Sequence, residues 1–466
     1  MLLSLVFGAV FLTVLGALSS FSLTQDRAQI NAEGKAKSLA LAEAALEYYR
    51  WYLAHNPNDL TNGTGAPGPY VFSYNDPEGG LVGTASLAIV GNQSCGKVTS
   101  IELTATGKTS DGSGAKRTIY ARYAQPSIAT YAYILNDSVW AGAGRVINGP
   151  YHSNGGIRMD GIANSGVSSS LTTWLCTSGF GCSPDTVKSG VFGAGNPALW
   201  KVATPQVDFS GIATDFASLK TTAQASGKYL PRISTGSGTP SANSGNLNYW
   251  NGYHLIFNAS GTVTIKKVTK TTAIPVSAQI NPSDPANDHT RIATESFSET
   301  YTLPTSCGLI FVEDNVWVDG VVPQKVTVVA ANIITPSVTP NASIKSDITY
   351  ANTSSGLTLI AQNNILIAAD SANTLTLNGI FIAQTGAFGR NLFDCPSAYE
   401  PRSQLSIHGT TVSYKRTGTR WVNGCGGSDG GYQIRLDGFD SILATDPPVF
   451  TPVLTTDYQF VDWRDK

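Results

Sequence analysis

The sequence predicts a mainly β protein with one long N-terminal α-helix. A small antiparallel sheet follows the helix, and an irregular right-handed parallel β-helix makes up most of the rest, with a β-sandwich as the alternative for that larger part. Three observations predict this. Met1 to Thr24 carries no charged side chain, and no proline interrupts the chain before Pro57. The remainder holds most of the 47 glycines and is rich in Ser, Thr and Asn, a mix that suits short strands and tight turns. Finally, LIAQ (359–362) returns as FIAQ (381–384), and VVAAN (328–332) resembles the same motif. Strand-rich repetition at about 20–30 residues is the pattern of a solenoid, in which each coil covers the apolar face of the last.

A chain of 466 residues has room for two or three structural units. Charged residues are 13% of it, about half the usual share. With a formal net charge of −2 there is no basic field for a phosphate backbone, so nucleic acid is not expected as a partner. The six cysteines favour disulfides in an exported chain. Cys176 with Cys182, and Cys395 with Cys425, are the candidate pairs, which leaves Cys95 and Cys307 over. Zinc is the rival reading. It lacks support because His55, His152, His254, His289 and His408 stand apart from the cysteines. No metal or cofactor is expected.

The first element is a helix from the start of the chain to Asn56, with an apolar half (1–24) and an amphipathic half (25–56). In the second half Leu39, Ala42, Leu46, Tyr49 and Leu53 recur at three- and four-residue steps, which marks a packing face. Asn56-Pro57 ends the pattern, because the residue before proline avoids the α region. Gly34 weakens the middle by about 1 kcal/mol relative to alanine. The apolar run is long enough to cross a bilayer. A secretory signal would need a basic segment before it and a cleavage site after it, and neither is evident.

SLALAEAALEYYRWY (38–52) resembles the helix of PilX-type minor pilins and pseudopilins of type IV filament systems. In that family the apolar half leaves the membrane and packs in a filament core. The resemblance implies this use for Leu2, Leu3, Leu5, Val6, Phe7, Val10, Phe11, Leu12, Val14, Leu15 and Leu18. Two departures stand out. The family's short basic leader is absent, so Met1 is either the mature residue or an internal start. With Met1 as the mature residue, Leu5 stands where the family carries an acid that neutralises a neighbour's terminal amine, a pattern that points to a subunit at the filament tip; with a trimmed start that argument falls away. A plain signal anchor of a surface protein is the alternative.

The remaining elements follow in order. Residues 57–80 read as a loop from their Pro, Gly and Asx turn chemistry. Residues 83–90, 98–107 and 116–123 read as strands, the last two a hairpin around SDGSG, so 57–125 forms the small sheet. Residues 126–445 form the β-helix-like domain, with an insertion at about 205–300 that caps or flanks it. The insertion contains a helix at 209–227 with Ile212, Phe216 and Leu219 on one face, a glycine-rich loop at 235–246, and a hairpin at 252–270 turning at NASG. Residues 446–466 form a capping tail, pinned by Pro447, Pro448, Phe450, Phe460 and Trp463.

No GxSxG, P-loop, HExxH or EF-hand pattern occurs, and no catalytic residue is assigned. A β-helix enzyme acting on polysaccharide is the alternative, with Asp160, Glu313, Asp314, Asp319 and Asp370 as acids and Asp314 and Asp319 on one rung edge. The plainer reading of these Asp-Asn and Asp-Gly pairs is turn formation. His152, in a tight turn, is expected to donate to a backbone carbonyl rather than to a ligand. Trp140, Trp174, Trp200, Trp250, Trp317 and Trp421 are candidate platforms for sugars, although core burial is the usual fate of tryptophan.

The expected role is therefore assembly without catalysis. Partners are other pilin-like subunits through the N-terminal helix, the inner membrane before assembly, and a surface or carbohydrate target. The expected location is a cell surface or extracellular filament. A membrane-anchored surface adhesin outside any filament is the alternative.

Overall fold

The computed structural model describes residues 2–56, 59–111, 113–212, 215–234, 250–335, 338–455 and 457–465. The expected loop at 235–246, Pro57, and the side chains of Leu2 and Ile212 lie outside the described set. The chain divides into two compact units. The first comprises Met1–Asn92, Val98–Ala124 and Tyr458–Lys466, and the second Gln93–Lys97 and Gln125–Asp457.

The first unit is built on helix α1, Leu2–His55, 54 residues without a break. At 1.5 Å per residue it is about 80 Å long. Beside its second half lies a five-stranded antiparallel sheet. Its strands run in the order β1 (Tyr70–Asn75), β2 (Leu81–Ser94), β3 (Lys97–Thr109), β4 (Lys116–Ala124) and the carboxy-terminal strand Gln459–Asp465.

Two expectations are corrected here. The segment 57–80 is not all loop, because YVFSYN alternates and pairs as β1 with β2, with Phe72 and Tyr74 packed on the core. The end of the chain is not wholly a cap on the larger unit. Gln459–Asp465 instead pairs antiparallel with β4. Phe460 packs against Tyr123 at 5.3 Å between ring centres, and Asp465 pairs with Arg117. An exposed β4 edge would leave a row of unpaired amides, and this strand covers it.

The second unit is mainly stacked parallel strands. One ladder runs through Lys228–Leu230, Leu309–Val312, Lys325–Ala330, Gly356–Ala361, Thr374–Ala383 and Arg402–Ser413. It continues through Tyr133–Leu135, Tyr151–Ser153, Val167–Ser169 and Trp200–Lys201. The order is unexpected. The chain enters the stack in its middle at Tyr133 and climbs to Trp200 at one end. It then crosses to Lys228 at the other end and coils back until Ser413 pairs with Leu135.

A second parallel ladder joins Gly252–Asn258, Asn315–Val322, Ala342–Tyr350, Ile365–Ile367 and Phe388–Gly389. The sheets are mixed, because Gly252–Asn258 also opens an antiparallel meander with Thr262–Ala278 and Asn287–Thr302. The expected insertion at 205–300 is thus not an appendage. Leu230, Tyr253, Leu255 and Phe257 belong to the main core because their strands are rungs of the stack.

The repeated motifs stack in register. Val328, Leu359 and Phe381 align, as do Val329, Ile360 and Ile382, and Ala330, Ala361 and Ala383. Alternation sends Leu359, Phe381, Ala361 and Ala383 into one core and Ile360, Val329 and Ile382 into another. The crossover helix Phe216–Ser226 covers that second face with Leu219 and Ala223, joined by Leu443 and Phe450. Strands covered on both faces read as unbroken apolar runs, which is why these segments are so hydrophobic.

Candidate functional site

Helix α1 divides into two chemically different halves. Leu3, Leu5, Val6, Phe7, Val10, Phe11, Leu12, Val14, Leu15 and Leu18 are all exposed, on every side of the helix. Such a surface costs about 25 cal/mol for each Å² left in water, and the helix is long and apolar enough to cross a membrane. Two of its hydroxyls bond back to the helix backbone. Thr13 Oγ1 donates to the Val10 carbonyl and Thr24 Oγ1 to the Ser20 carbonyl, both at 2.8 Å. Charges begin only at Asp26, and the second half carries exposed surface pairs such as Lys37–Glu33 at 2.8 Å.

The packing face of that second half comprises Gly34, Ser38, Leu41, Ala42, Ala45, Leu46, Tyr49 and Leu53. Ala42, Leu46, Tyr49 and Leu53 fall on the expected face, whereas Leu39 is only half-buried at its edge because Leu41 and Ala45 take the centre. Small residues set the approach. A Cβ on Gly107 would meet the Ser38 carbonyl oxygen at 2.0 Å, and one on Gly34 would meet Ser113 Oγ at 2.4 Å. Gly34 therefore admits the tip of the β3–β4 hairpin. Past the helix end, Asp59 accepts from Thr61 Oγ1 at 2.6 Å, from Tyr52 Oη at 2.5 Å and from the Thr61 and Gly63 amides, and these bonds hold its carboxyl well below the usual range.

All six cysteines are paired: Cys176–Cys182, Cys395–Cys425 and Cys95–Cys307. Asp314 and Asp319 do not share an edge site. Asp314 Oδ2 accepts from the Ile233 and Ser234 amides at 2.8 and 2.7 Å, whereas Asp319 Oδ2 sits 3.2 Å from His254 Nε2. Glu313 is fully buried against Lys220 Nζ and Tyr229 Oη. Asp160 accepts from Trp140 Nε1, Arg158 Nε and the Ala194 amide at 2.8, 2.8 and 3.0 Å. Asp370 is exposed at a turn. His152 meets two side chains rather than a backbone carbonyl, Ser168 Oγ at 2.9 Å and Asn154 Oδ1 at 3.1 Å, and burial pushes its pKa down.

The tryptophans separate by environment. Trp174 and Trp317 are buried, and Trp317 Nε1 donates to the Thr290 carbonyl at 2.6 Å. Trp200 is half-buried in the stack, and half-buried Trp421 donates to the Arg390 carbonyl at 3.0 Å. Trp250 differs. It lines a cavity of about 180 Å³ in the second unit and stacks on His289 with ring centres 4.3 Å apart and planes 7° from parallel.

Asp284, Asn287, Asp288, Lys415 and an asparagine stack share that cavity. Consecutive rungs set the stack. The Asn341 amide donates to Asn315 Oδ1 at 3.0 Å, and Asn363 Nδ2 donates to Asn341 Oδ1 at 3.0 Å. Lys415 Nζ donates to Asn281 Oδ1 at 2.9 Å. Burial pushes the Asp284 carboxyl up to about 6, against the opposing pull of the Asn364 amide and Lys415. It raises Asp288 as well and lowers His289 to about 4. A cavity of amides, one indole and two carboxyls against one ammonium can hold a neutral polar ligand. Of its lining residues, only Trp250 is among the platform candidates expected from the sequence. The asparagines read as ordinary turn residues there, and only the rung register aligns them.

No protein-family model matches the chain, and no curated protein matches it. Among solved structures, the chain is similar to the competence-associated pilin ComZ from Thermus thermophilus, at 13% identity and a TM-score of 0.31 over 93% of this chain and 97% of that one.

Proposed function

We propose that this chain is a non-enzymatic minor pilin or pseudopilin of a bacterial type IV filament system, of the PilX type. One observation carries the reading. A single unbroken helix has an amino-terminal half apolar and exposed on every side and a second half seated on an antiparallel sheet through Gly107, Ala42 and Ala45. The exposed half needs an apolar partner, first the inner membrane and then the helices of like subunits. Hydrophobic burial is non-directional, so the same surface serves both. In this reading the parallel stack is a right-handed β-helix displayed outside the cell at or near the filament tip. The role is assembly and surface contact, and it asks for no cofactor and no reaction.

The test uses the full chain, produced in its own host. Single cysteines at Val6 and Val10 should cross-link to the matching helix positions of other filament subunits, and the protein should appear in sheared filaments. Membrane retention with no filament association and no cross-link would leave a membrane-anchored adhesin instead.

A further inference from the structure

The cavity beside Trp250 lies in the second unit, and α1 contributes nothing to its lining. At about 180 Å³ it is smaller than the roughly 300–1,000 Å³ of sites for drug-sized ligands. That volume suits one six-membered ring. Its aromatic wall is the Trp250–His289 stack, whose rings run nearly parallel. Carbon-bound hydrogens on a sugar face pack against such a surface.

Its polar wall is amide-rich. A carboxamide both donates and accepts, as a hydroxyl does, and a carboxylate accepts from two neighbouring hydroxyls. Asn341 and Asn363 are held in place by the rung-to-rung bonds of the stack. Asp284 is held by Asn281 Nδ2 at 3.0 Å and Asn364 Nδ2 at 3.0 Å. These groups are therefore ordered before any ligand arrives, which reduces the cost of binding. Two carboxyls, Asp284 and Asp288, face one ammonium, Lys415. That balance disfavours an anionic ligand such as a uronate or a phosphate.

We infer that this cavity binds a single neutral pyranose, supplied either as a free monosaccharide or as the terminal residue of a glycan. The site lies wholly in the second unit and does not depend on the assembly role of α1.

The experiment is saturation-transfer NMR and calorimetry on the full chain in detergent micelles. The probes are glucose, galactose, mannose and N-acetylglucosamine, each also as its methyl glycosides, with glucuronate as the charged control. At least one neutral pyranose should bind with Kd below about 5 mM, and glucuronate should not. A methyl glycoside that binds as well as the parent marks a terminal glycan residue, and loss of binding on methylation marks a free sugar. Trp250→Ala should weaken binding about tenfold or more.

Asn287→Ala, at a half-buried cavity position, is the second variant should Trp250→Ala not fold, and it should weaken binding several-fold. Leu175→Ser, on an exposed hairpin away from the cavity, should leave it unchanged. No saturable binding by any of the four sugars, or unaltered binding in both Trp250→Ala and Asn287→Ala, would overturn the inference.

Discussion

Gly107 crosses helix α1 at Ser38 so closely that a Cβ there would lie 2.0 Å from the Ser38 carbonyl oxygen and 2.9 Å from the Ala42 amide nitrogen. Both contacts are backbone, which cannot swing aside. The seat of the helix on its sheet is thus set by an absent side chain, with Ala42 and Ala45 completing it. Gly107→Val should force the sheet away from the helix and cost about 3 kcal/mol or more. Thermal melts of the full chain in detergent should show it, while Gly65→Ala, in open space but at a positive φ of 68°, should cost only about 1 kcal/mol.

The disulfides should differ in weight. Cys95 and Cys307 are separated by 212 residues, Cys176 and Cys182 by 6. Loop-closure entropy then gives about 5 kcal/mol for the long loop and about 2 kcal/mol for the short one. Urea melts of Cys95→Ala/Cys307→Ala and Cys176→Ala/Cys182→Ala should rank them in that order. Equal losses would mean that native contacts, not chain entropy, set the contribution.

Arg145 and Asp437 form a buried ion pair, Nε to Oδ2 at 2.6 Å, with Tyr133 Oη donating to the other carboxylate oxygen at 3.0 Å. The guanidinium lies 4.3 Å from the Tyr133 ring centre. Arg145→Met strands a buried carboxylate and should cost about 3–5 kcal/mol. Arg145→Met with Asp437→Leu should recover only part of that loss, because buried Arg435 then loses the carboxylate that supports its charge. A double-mutant cycle read by denaturant midpoints checks this.

Asp284 gives a pH signature. Its folded-state pKa of about 6 lies above the unfolded value, which is about 3.9. A raised carboxyl stabilises the fold below the unfolded value. That contribution falls away as pH rises from about 4 to about 6 and is gone above it. Asp284→Asn should therefore raise stability relative to the parent at pH 7.5, by no more than about 3 kcal/mol. The two should differ little at pH 4. Melts at both pH values read the difference.

The local features were legible in the residues themselves. An uncharged opening and a proline-free continuation suffice for one helix, because helical hydrogen bonds close four residues apart. Strand alternation around NASG and SDGSG likewise shows hairpins, whose partners are neighbours in sequence. The motifs at 328–332, 359–362 and 381–384 announced their own stacking, since equal rungs need equal faces. YVFSYN carried a readable alternation as well, masked by the Pro and Gly on either side of it.

What the sequence determined alone is the list of elements and the sparseness of charge, both consequences of contacts within a few residues. The tertiary structure decided which distant strands became neighbours. It placed Tyr133 beside Thr411 in mid-stack, sent Gln459–Asp465 back to β4, and aligned Asn315, Asn341 and Asn363 beside Trp250. Strand pairing is written in backbone groups common to every residue, so many partners satisfy it equally. Only the shared burial of whole faces selects among them.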